Sequence, residues 1–184
     1  MATTRDLSGA RALAARLVFA IRRRWYTLRY PRLELGTGVL FIGRLRLRSG
    51  TRLVLGDNVR IRKLVRVNGG GTVRVGADTL LNGCWIIAAE SVEIGPRGLI
   101  SDCGITDNDF HNLPPELRHA PVTGKARKPV VLGENVWVGA QALVLKGVRI
   151  GDDSAVGAGS VVREDVEARC VVAGNPAQVV KRFD

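Results

Sequence analysis

The chain has 184 residues, a length typical of one domain, and 46% of them are hydrophobic while only 5% are aromatic. The net charge of +11 is uneven, because the first 66 residues carry 16 Lys and Arg against 3 Asp and Glu; this favours an anionic partner such as nucleic acid, acidic lipid headgroups or a phosphorylated substrate. The three cysteines form no CxxC or Cys/His cluster, and no apolar run is long enough for a transmembrane helix. We therefore expect a cytoplasmic protein without a metal, a disulfide framework or a membrane span.

Residues 6–29 are predicted to form a basic amphipathic helix that ends before Pro31. Arginines occupy much of its surface, and Arg22, Arg23 and Arg24 lie where a secretory signal would have its cleavage region. Its apolar stripe contains Leu7, Ala10, Ala14, Leu17, Ile21, Trp25 and Leu28, with Val18 alongside. Two interpretations stay open, and they are compatible. The helix covers the end of the following domain, or it lies on a membrane surface with its aromatic residues near the headgroups.

The following residues, 33–170, are predicted to be all-β. An aliphatic residue at every sixth position is typical of a parallel β-solenoid, in which each unit is a short strand and a turn, and three units make one coil. From Leu132 to Val162 a small or β-branched residue follows each aliphatic by four positions, and glycines allow the tight corners. The repeating aliphatics are Leu55, Ile61, Val67, then Val75, Leu81, Ile87, then after one inserted residue Ile94 and Ile100, and finally Leu132, Val138, Val144, Ile150, Val156 and Val162.

The pattern breaks over residues 107–130, a proline-rich loop insertion that contains both histidines. A loop on a regular scaffold is a frequent position for functional residues. His111 follows Asp107 and Asp109; histidine is the side chain that titrates nearest neutral pH, and a carboxylate can hold its tautomer, so a general base is indicated. His119 has no such neighbours and is predicted to be a surface residue.

The domain assignment follows from these segments. Residues 1–32 form the basic N-terminal helix, residues 33–170 the solenoid with its loop insertion, and residues 171–184 a C-terminal tail. The tail leaves the solenoid at Gly174, Asn175 and Pro176, and residues 177–183 are predicted to form a short capping helix.

Four motifs between residues 75 and 181 carry a resemblance to a known family. They are Ile94-Gly95 through Asp107–His111, then Leu132–Ala140, Val156–Val162 and Val172–Ala177. Together they resemble the hexapeptide-repeat acyltransferases, the group of maltose and galactoside O-acetyltransferases and serine acetyltransferase, with a loop similar to capsule-type enzymes. The resemblance implies a left-handed parallel β-helix, an exception to the right-handed crossover rule. It also implies a homotrimer with acetyl-CoA in a groove between two subunits.

The resemblance also assigns residues to roles. His111 matches the histidine that takes the proton from the acceptor hydroxyl, and Asp109 lies beside it. The groove for the pantetheine arm of the cofactor would be lined by Gly139, Ala140, Ala142 and Ala158, and its phosphates would be contacted by Arg163 and Lys181. The acceptor would be contacted by Asn82, Asp107 and Trp137. Glu164 and Gln178 depart from the family, since lysine and arginine are common there.

The expected function is transfer of an acetyl group from acetyl-CoA to a hydroxyl of a sugar or glycan intermediate, in surface-polysaccharide biosynthesis. Two alternatives remain: an N-acetyltransferase acting on an amino sugar, and a non-catalytic solenoid scaffold. A γ-type carbonic anhydrase would need three metal-binding histidines, and the chain has two. Nucleic-acid binding is disfavoured because no recognised binding motif accompanies the basic residues.

Overall fold

A computed structural model describes residues 10–48, 50–122 and 124–184, and these form one helix followed by a parallel β-solenoid. The helix is α1 (Ala10–Arg29). The strands are β1 (Leu33–Leu35), β2 (Leu40–Phe41), β3 (Arg44–Leu47), β4 (Arg52–Leu55), β5 (Arg60–Arg62), β6 (Leu64–Asn68), β7 (Thr72–Val75), β8 (Leu80–Asn82), β9 (Trp85–Ile87), β10 (Ser91–Ile94), β11 (Leu99–Ser101), β12 (Gly104–Thr106), β13 (Val130–Leu132), β14 (Trp137–Val138), β15 (Leu143–Val144), β16 (Arg149–Ile150), β17 (Ala155–Val156), β18 (Val161–Val162), β19 (Cys170–Gly174) and β20 (Ala177–Arg182).

The strands stack into three sheets, one on each face of a prism. The first sheet has the order β1-β4-β7-β10-β13-β16, the second β2-β5-β8-β11-β14-β17-β19-β20, and the third β3-β6-β9-β12-β15-β18. Every neighbouring pair is parallel except the last pair of the second sheet. The described residues thus contain six complete coils and the start of a seventh. This is the left-handed parallel β-helix that the sequence predicts.

The six-residue repeat places its aliphatic residues inside the prism. Leu132 pairs with Ile150 and Val138 with Val156, so the chain returns above itself after three repeats, and these side chains are at most 2% exposed. One repeat differs from the prediction. Ile86, rather than Ile87, faces the core, because it follows the core residue Leu81 by five positions instead of six, and Ile105 follows Ile100 with the same spacing in the next coil.

Left-handed backbone conformations recur at the corners. Asn58, Asp78, Arg97, Asn135 and Asp153 all have φ between 55° and 60° and stack at the corner between the first and second sheets. Short polar residues tolerate this conformation better than bulky ones, and each one turns the chain through a corner. Polar residues at these positions therefore mark the corners, as the aliphatics mark the faces.

The helix covers the N-terminal end of the solenoid through polar contacts. Arg22 and Arg23 donate hydrogen bonds to first-coil carbonyls, and the backbone N–H of Leu45 donates to the Tyr26 hydroxyl at 2.9 Å. The carbonyls are those of Leu35, Gly36, Phe41 and Ile42, at 2.8–3.4 Å. Among the described residues no earlier coil pairs with these strands, so the helix satisfies backbone groups that an edge would leave open. The interpretation of the helix as a cap is confirmed for α1.

The apolar stripe of the helix points away from the solenoid. Tyr26, on the opposite side, is buried against Phe41 with ring centroids 4.3 Å apart. Residues of the predicted stripe are exposed, at Leu17 (61%), Ile21 (59%), Trp25 (54%) and Leu28 (71%), and Leu13 (70%), which the prediction did not include, extends the exposed apolar surface. The predicted residues 6–9, including Leu7, lie outside the described residues. No helix in the described part of the chain is long and apolar enough to span a bilayer.

The C-terminal helix of the prediction is wrong. Residues Ala177–Arg182 form β20, which turns back and pairs with β19 in antiparallel fashion. The free edge of β19 offers backbone partners to a returning strand, and Val179 and Val180 are β-branched residues that favour an extended chain. The tail is therefore a hairpin.

Candidate active site

The loop between β12 and β13 leaves the solenoid at the corner between the third and first sheets. Asp107 anchors it, because its two carboxylate oxygens accept hydrogen bonds from the backbone amides of Ala89 and Glu90 at 2.7 and 2.6 Å. Asp107 is 0% exposed. The predicted role of Asp107 as an acceptor ligand is wrong, since burial and these bonds leave its carboxylate to the fold. It holds the base of the loop against the preceding coil.

The neck of the loop is closed a second time. Asn108 forms an antiparallel bridge with Arg127, and the backbone N–H of Asp109 donates to the Ala126 carbonyl at 3.0 Å. Further out, the buried Asn112 side-chain amide donates to the carbonyls of Leu117, Ala120 and Pro121 at 2.9–3.1 Å. The loop is thus a folded element with its own hydrogen bonds.

His111 lies on the exposed surface of this loop. Phe110 before it has φ 65°, and the backbone N–H of His111 donates to the Asp109 carbonyl at 2.7 Å, which makes a tight turn. The Asp109 carboxylate contacts the ammonium group of Lys146, and both side chains are mostly buried. Asp109 therefore reaches the loop-facing lysine of the next coil, and the proposed contact between Asp109 and the His111 ring is not formed here.

Lys146 is a residue that the sequence reasoning missed. It follows β15 at the corner below the loop, and with Asp109 it borders a cavity of about 420 Å³. The remaining walls are largely apolar and come from Asn112, Leu113, Pro114, Leu117 and Ala126. The six-residue repeat could have predicted this position. Val144 is the repeat residue that pairs with Ile105 of β12, the strand before the loop, and Lys146 follows Val144 by two residues.

A second group of predicted residues lies at a different corner, between the second and third sheets. The Gly159 amide donates to the Ala140 carbonyl at 2.9 Å, and the Asp102 amide donates to the Asn82 carbonyl at 2.7 Å. Ala140 and Ala158 are exposed and lie on consecutive coils. We call Asn82, Gly139, Ala140 and Ala158 the alanine corner. The exposed methyl groups of Ala140 and Ala158 leave the backbone around them accessible.

Ala142 does not belong to this surface. It is 2% exposed and its side chain lies in the core, because the fourth position after each repeat aliphatic points inward, as Val136 and Val148 also do. Its side chain therefore does not line the predicted cofactor groove, and a contact through its backbone stays a prediction. Gly139 is needed for stacking, since a Cβ there would lie 2.9 Å from the Ala158 amide nitrogen.

The predicted residues thus occupy separate edges of one subunit. His111, Lys146 and Arg163 lie at the corner between the third and first sheets, which we call the loop corner; the alanine corner lies across the third sheet. Trp137 is 54% exposed on the outer face of the second sheet, in register with the exposed Leu99. Lys181 lies on β20, with its ammonium 4.8 Å from the Phe183 ring centroid. A single chain does not bring all of these residues together.

Burial separates two cysteines from any nucleophilic role. Desolvation raises the pKa of the Cys103 thiol to about 12, and it raises that of Cys84 further. The negative charge of Asp102 also raises the pKa of Cys103. The neighbouring Cys103 in turn raises the pKa of Cys84. Both thiols stay protonated near neutral pH, so neither supplies the thiolate that nucleophilic catalysis requires.

Comparison with known proteins gives consistent matches. Residues 129–164 match the family model "Bacterial transferase hexapeptide (six repeats)". The chain is 30% identical over 132 residues to the galactoside O-acetyltransferase of Escherichia coli, covering 71% of this chain and 64% of that one. It is 32% identical over 128 residues to a putative lipopolysaccharide biosynthesis O-acetyl transferase of Escherichia coli, covering 70% and 59%. It therefore spans a little under two thirds of the length of these curated relatives.

A solved structure shares the fold. A hexapeptide-repeat-containing acetyltransferase of Vibrio cholerae, crystallised with acetyl coenzyme A, superposes with a TM-score of 0.62 at 24% sequence identity. The match covers 97% of this chain and 92% of that chain. The superposition covers the solenoid together with nearly all of its flanking segments.

Proposed function

The chain belongs to the bacterial hexapeptide-repeat transferases, and from that premise we propose that it transfers the acetyl group of acetyl-CoA to a hydroxyl of a sugar or glycan. The observation that carries this proposal is the position of His111, exposed at a tight turn on a loop that is pinned to the solenoid at two points. The names of the galactoside and lipopolysaccharide relatives support a saccharide acceptor and a role in surface-polysaccharide biosynthesis.

In the proposed reaction, the His111 imidazole takes the proton of the acceptor hydroxyl as its oxygen attacks the thioester carbonyl. The carbon–sulfur bond then breaks, and the proton passes from the imidazolium to the leaving CoA thiolate. Asp109 acts as a positioning residue, because its contact with Lys146 fixes the turn that presents His111. A histidine without tight packing of its own depends on such a support.

The cofactor site is proposed to lie between two subunits of a homotrimer. The loop corner and the alanine corner lie on opposite edges of the third sheet, so a second copy can bring one against the other. Gly139, Ala140 and Ala158 would admit the pantetheine arm, and the exposed Arg163 would face its phosphates. Trp137 and Leu99 form an exposed apolar pair on the second sheet, and this supports the proposal that a neighbouring subunit covers that sheet.

The proposal is tested by replacing His111 with Ala and measuring release of free CoA with a panel of sugars and amino sugars. The expected loss in kcat is about 10²–10⁴-fold, the usual contribution of a general base, with unchanged acetyl-CoA binding. His119→Ala is the matched control, because His119 is also exposed on the loop. Full activity of His111→Ala would overturn the assignment, and failure of the intact protein to bind acetyl-CoA would favour a scaffold.

The product distinguishes O-acetylation from N-acetylation. An ester formed on a sugar hydroxyl is cleaved by alkaline hydroxylamine, whereas an amide formed on an amino sugar survives it. Mass spectrometry before and after this treatment therefore decides between the two reactions. Amide as the product with every active acceptor would replace the O-acetyltransferase proposal with the amino-sugar alternative.

The proposed location is the cytoplasmic face of a membrane, with α1 lying in the interface. Its exposed stripe of Leu13, Leu17, Ile21 and Leu28 is apolar, and the exposed Arg16 and Arg24 can contact acidic headgroups. Helices with an apolar face and basic flanks bind in this way. Since the opposite face of α1 holds the solenoid, the whole domain would be carried at the membrane surface.

A further inference from the structure

The outer face of the third sheet carries a groove near the N-terminal end of the solenoid. Arg46 of β3 and Arg66 of β6 are in register, and Arg66 is in register with Trp85 of β9. We call this surface the arginine–tryptophan groove. It has a volume of about 300 Å³ and is lined by Arg46, Arg48, Arg66, Asn68, Trp85 and Ile87, together with backbone of neighbouring residues.

The Trp85 ring has a fixed seat in this groove. A Cβ on Gly104 would lie 2.2 Å from Cζ2 of the Trp85 ring, so the ring lies directly over the glycine backbone of the next strand. Trp85 remains partly exposed. An indole that is held over a sheet and open on its outer side is a suitable platform for a planar or ring-shaped ligand.

The arginines of the groove are a group of like charges. Some cations elsewhere on the solenoid have acidic partners: Arg52 pairs with Glu34 at 2.7 Å, and Lys63 pairs with Asp102 at 2.7 Å. Within the described ranges, no ion pair involves Arg46, Arg48 or Arg66.

Like charges directly opposite each other on neighbouring strands are destabilising. Arg46 and Arg66 stand in this relation, and both are exposed. A bound anion would offset their repulsion. The groove is therefore suited to a ligand with negative charge on one side and a ring on the other.

The groove adjoins the base of the His111 loop. Ile87 at its edge is in register with Thr106, the last residue before the loop. The chain that follows Ile87 supplies the amides of Ala89 and Glu90 that hold Asp107. A ligand in the groove would extend towards the point where the loop leaves the sheet.

We propose that the arginine–tryptophan groove binds an anionic saccharide acceptor, with a sugar ring on Trp85 and a carboxylate or phosphate on Arg46 and Arg66. This inference rests on the proposed acetyl transfer and narrows its substrate class. Guanidinium groups bind both kinds of anion through paired hydrogen bonds, so an acidic glycan and a sugar phosphate share this chemistry.

The test is calorimetric binding of three probes to the full chain: an oligogalacturonate, UDP-N-acetylglucosamine and neutral maltohexaose. We expect at least one of the two acidic probes to bind and the neutral one not to bind. The double substitution Arg46→Gln/Arg66→Gln is expected to weaken the binding at least tenfold. Arg74→Gln, on the exposed face of the first sheet, is the control and should change it less than twofold.

The acidic probe that binds identifies the source of the negative charge, carboxylate or phosphate. Equal binding of the acidic probe by the double variant and by Arg74→Gln would overturn the proposal that the groove binds the acceptor. A changed oligomeric state of the double variant in light scattering would also overturn it. His111→Ala should bind the acidic probe normally. Loss of turnover in His111→Ala with binding retained supports both proposals, whereas an intact protein that binds the probe but transfers no acetyl group fails only the proposed reaction.

Discussion

If the exposed stripe of α1 binds the membrane, substitution of Leu17 and Ile21 by Gln should release the protein from anionic vesicles without affecting its fold. Leu17 and Ile21 are 61% and 59% exposed and neighbour each other on the helix. Full burial of such a side chain contributes about 1.5–3 kcal/mol. Burying the exposed three fifths of each would contribute about 1–2 kcal/mol, so Leu17→Gln/Ile21→Gln should lower vesicle affinity by roughly 30-fold to several hundred-fold.

The assay is co-sedimentation with vesicles of phosphatidylglycerol and phosphatidylcholine, at low and at physiological salt. Val180→Gln is the matched control, because Val180 is 63% exposed on β20, away from the helix. Each arginine near the surface adds roughly 1 kcal/mol of attraction, so binding should weaken as salt rises. The reasoning is refuted if the double variant sediments like the intact protein, or if a change in light scattering shows that the stripe contacts another copy of the chain.

Three further predictions concern the fold and the site. Asp107→Ala should lower the free energy of unfolding by about 2–5 kcal/mol, because it removes two hydrogen bonds between a charged carboxylate and the partly buried amides of Ala89 and Glu90. Urea denaturation measures this, and Asp165→Ala, which removes an exposed bond to the Arg149 amide, should cost far less. Cys84 and Cys103 should resist Ellman's reagent at pH 8 in the native protein, since burial raises the pKa of both thiols; rapid labelling without denaturant would contradict the burial. Ala140→Trp should abolish acetyl-CoA binding in calorimetry while light scattering still reports a trimer; unchanged binding would remove the alanine corner from the cofactor site.

The solenoid could be predicted because its signal is repeated. Each inward side chain is set by the same local geometry, so one pattern of six reports every face from Leu132 to Val162. The exception at Ile86 arises because this residue follows Leu81 by five positions instead of six, and the pattern registers the change only as an inserted residue further along the chain. Periodicity reports the faces of the prism well and the lengths of its corners poorly.

The parts that escaped prediction depend on partners distant in sequence. The sequence pattern identifies the apolar face of α1 correctly. That the opposite face packs on the solenoid follows only from the hydrogen bonds of Arg22 and Tyr26 with backbone groups of the first coil. Asp107 resembles a site residue in sequence, and its amide partners in the preceding coil make it structural. The tail is a strand because β19 has a free edge with which it pairs, and the sequence of residues 177–183 does not show that this edge is available.

The hydrogen-bonded neck of the loop makes the sequence of the loop independent of the stability of the stacked coils. Val92 pairs with Val73 on one side and with Val130 on the other in the same register, although the second connection includes the whole insertion. The entropy of closing a loop grows only slowly with its length, so segments between Asn108 and Arg127 can be exchanged or lengthened at little cost to the stack. Acceptor preference could therefore diverge by replacement of the part of this segment that follows His111, while the proposed base and the coils beneath it stay unchanged.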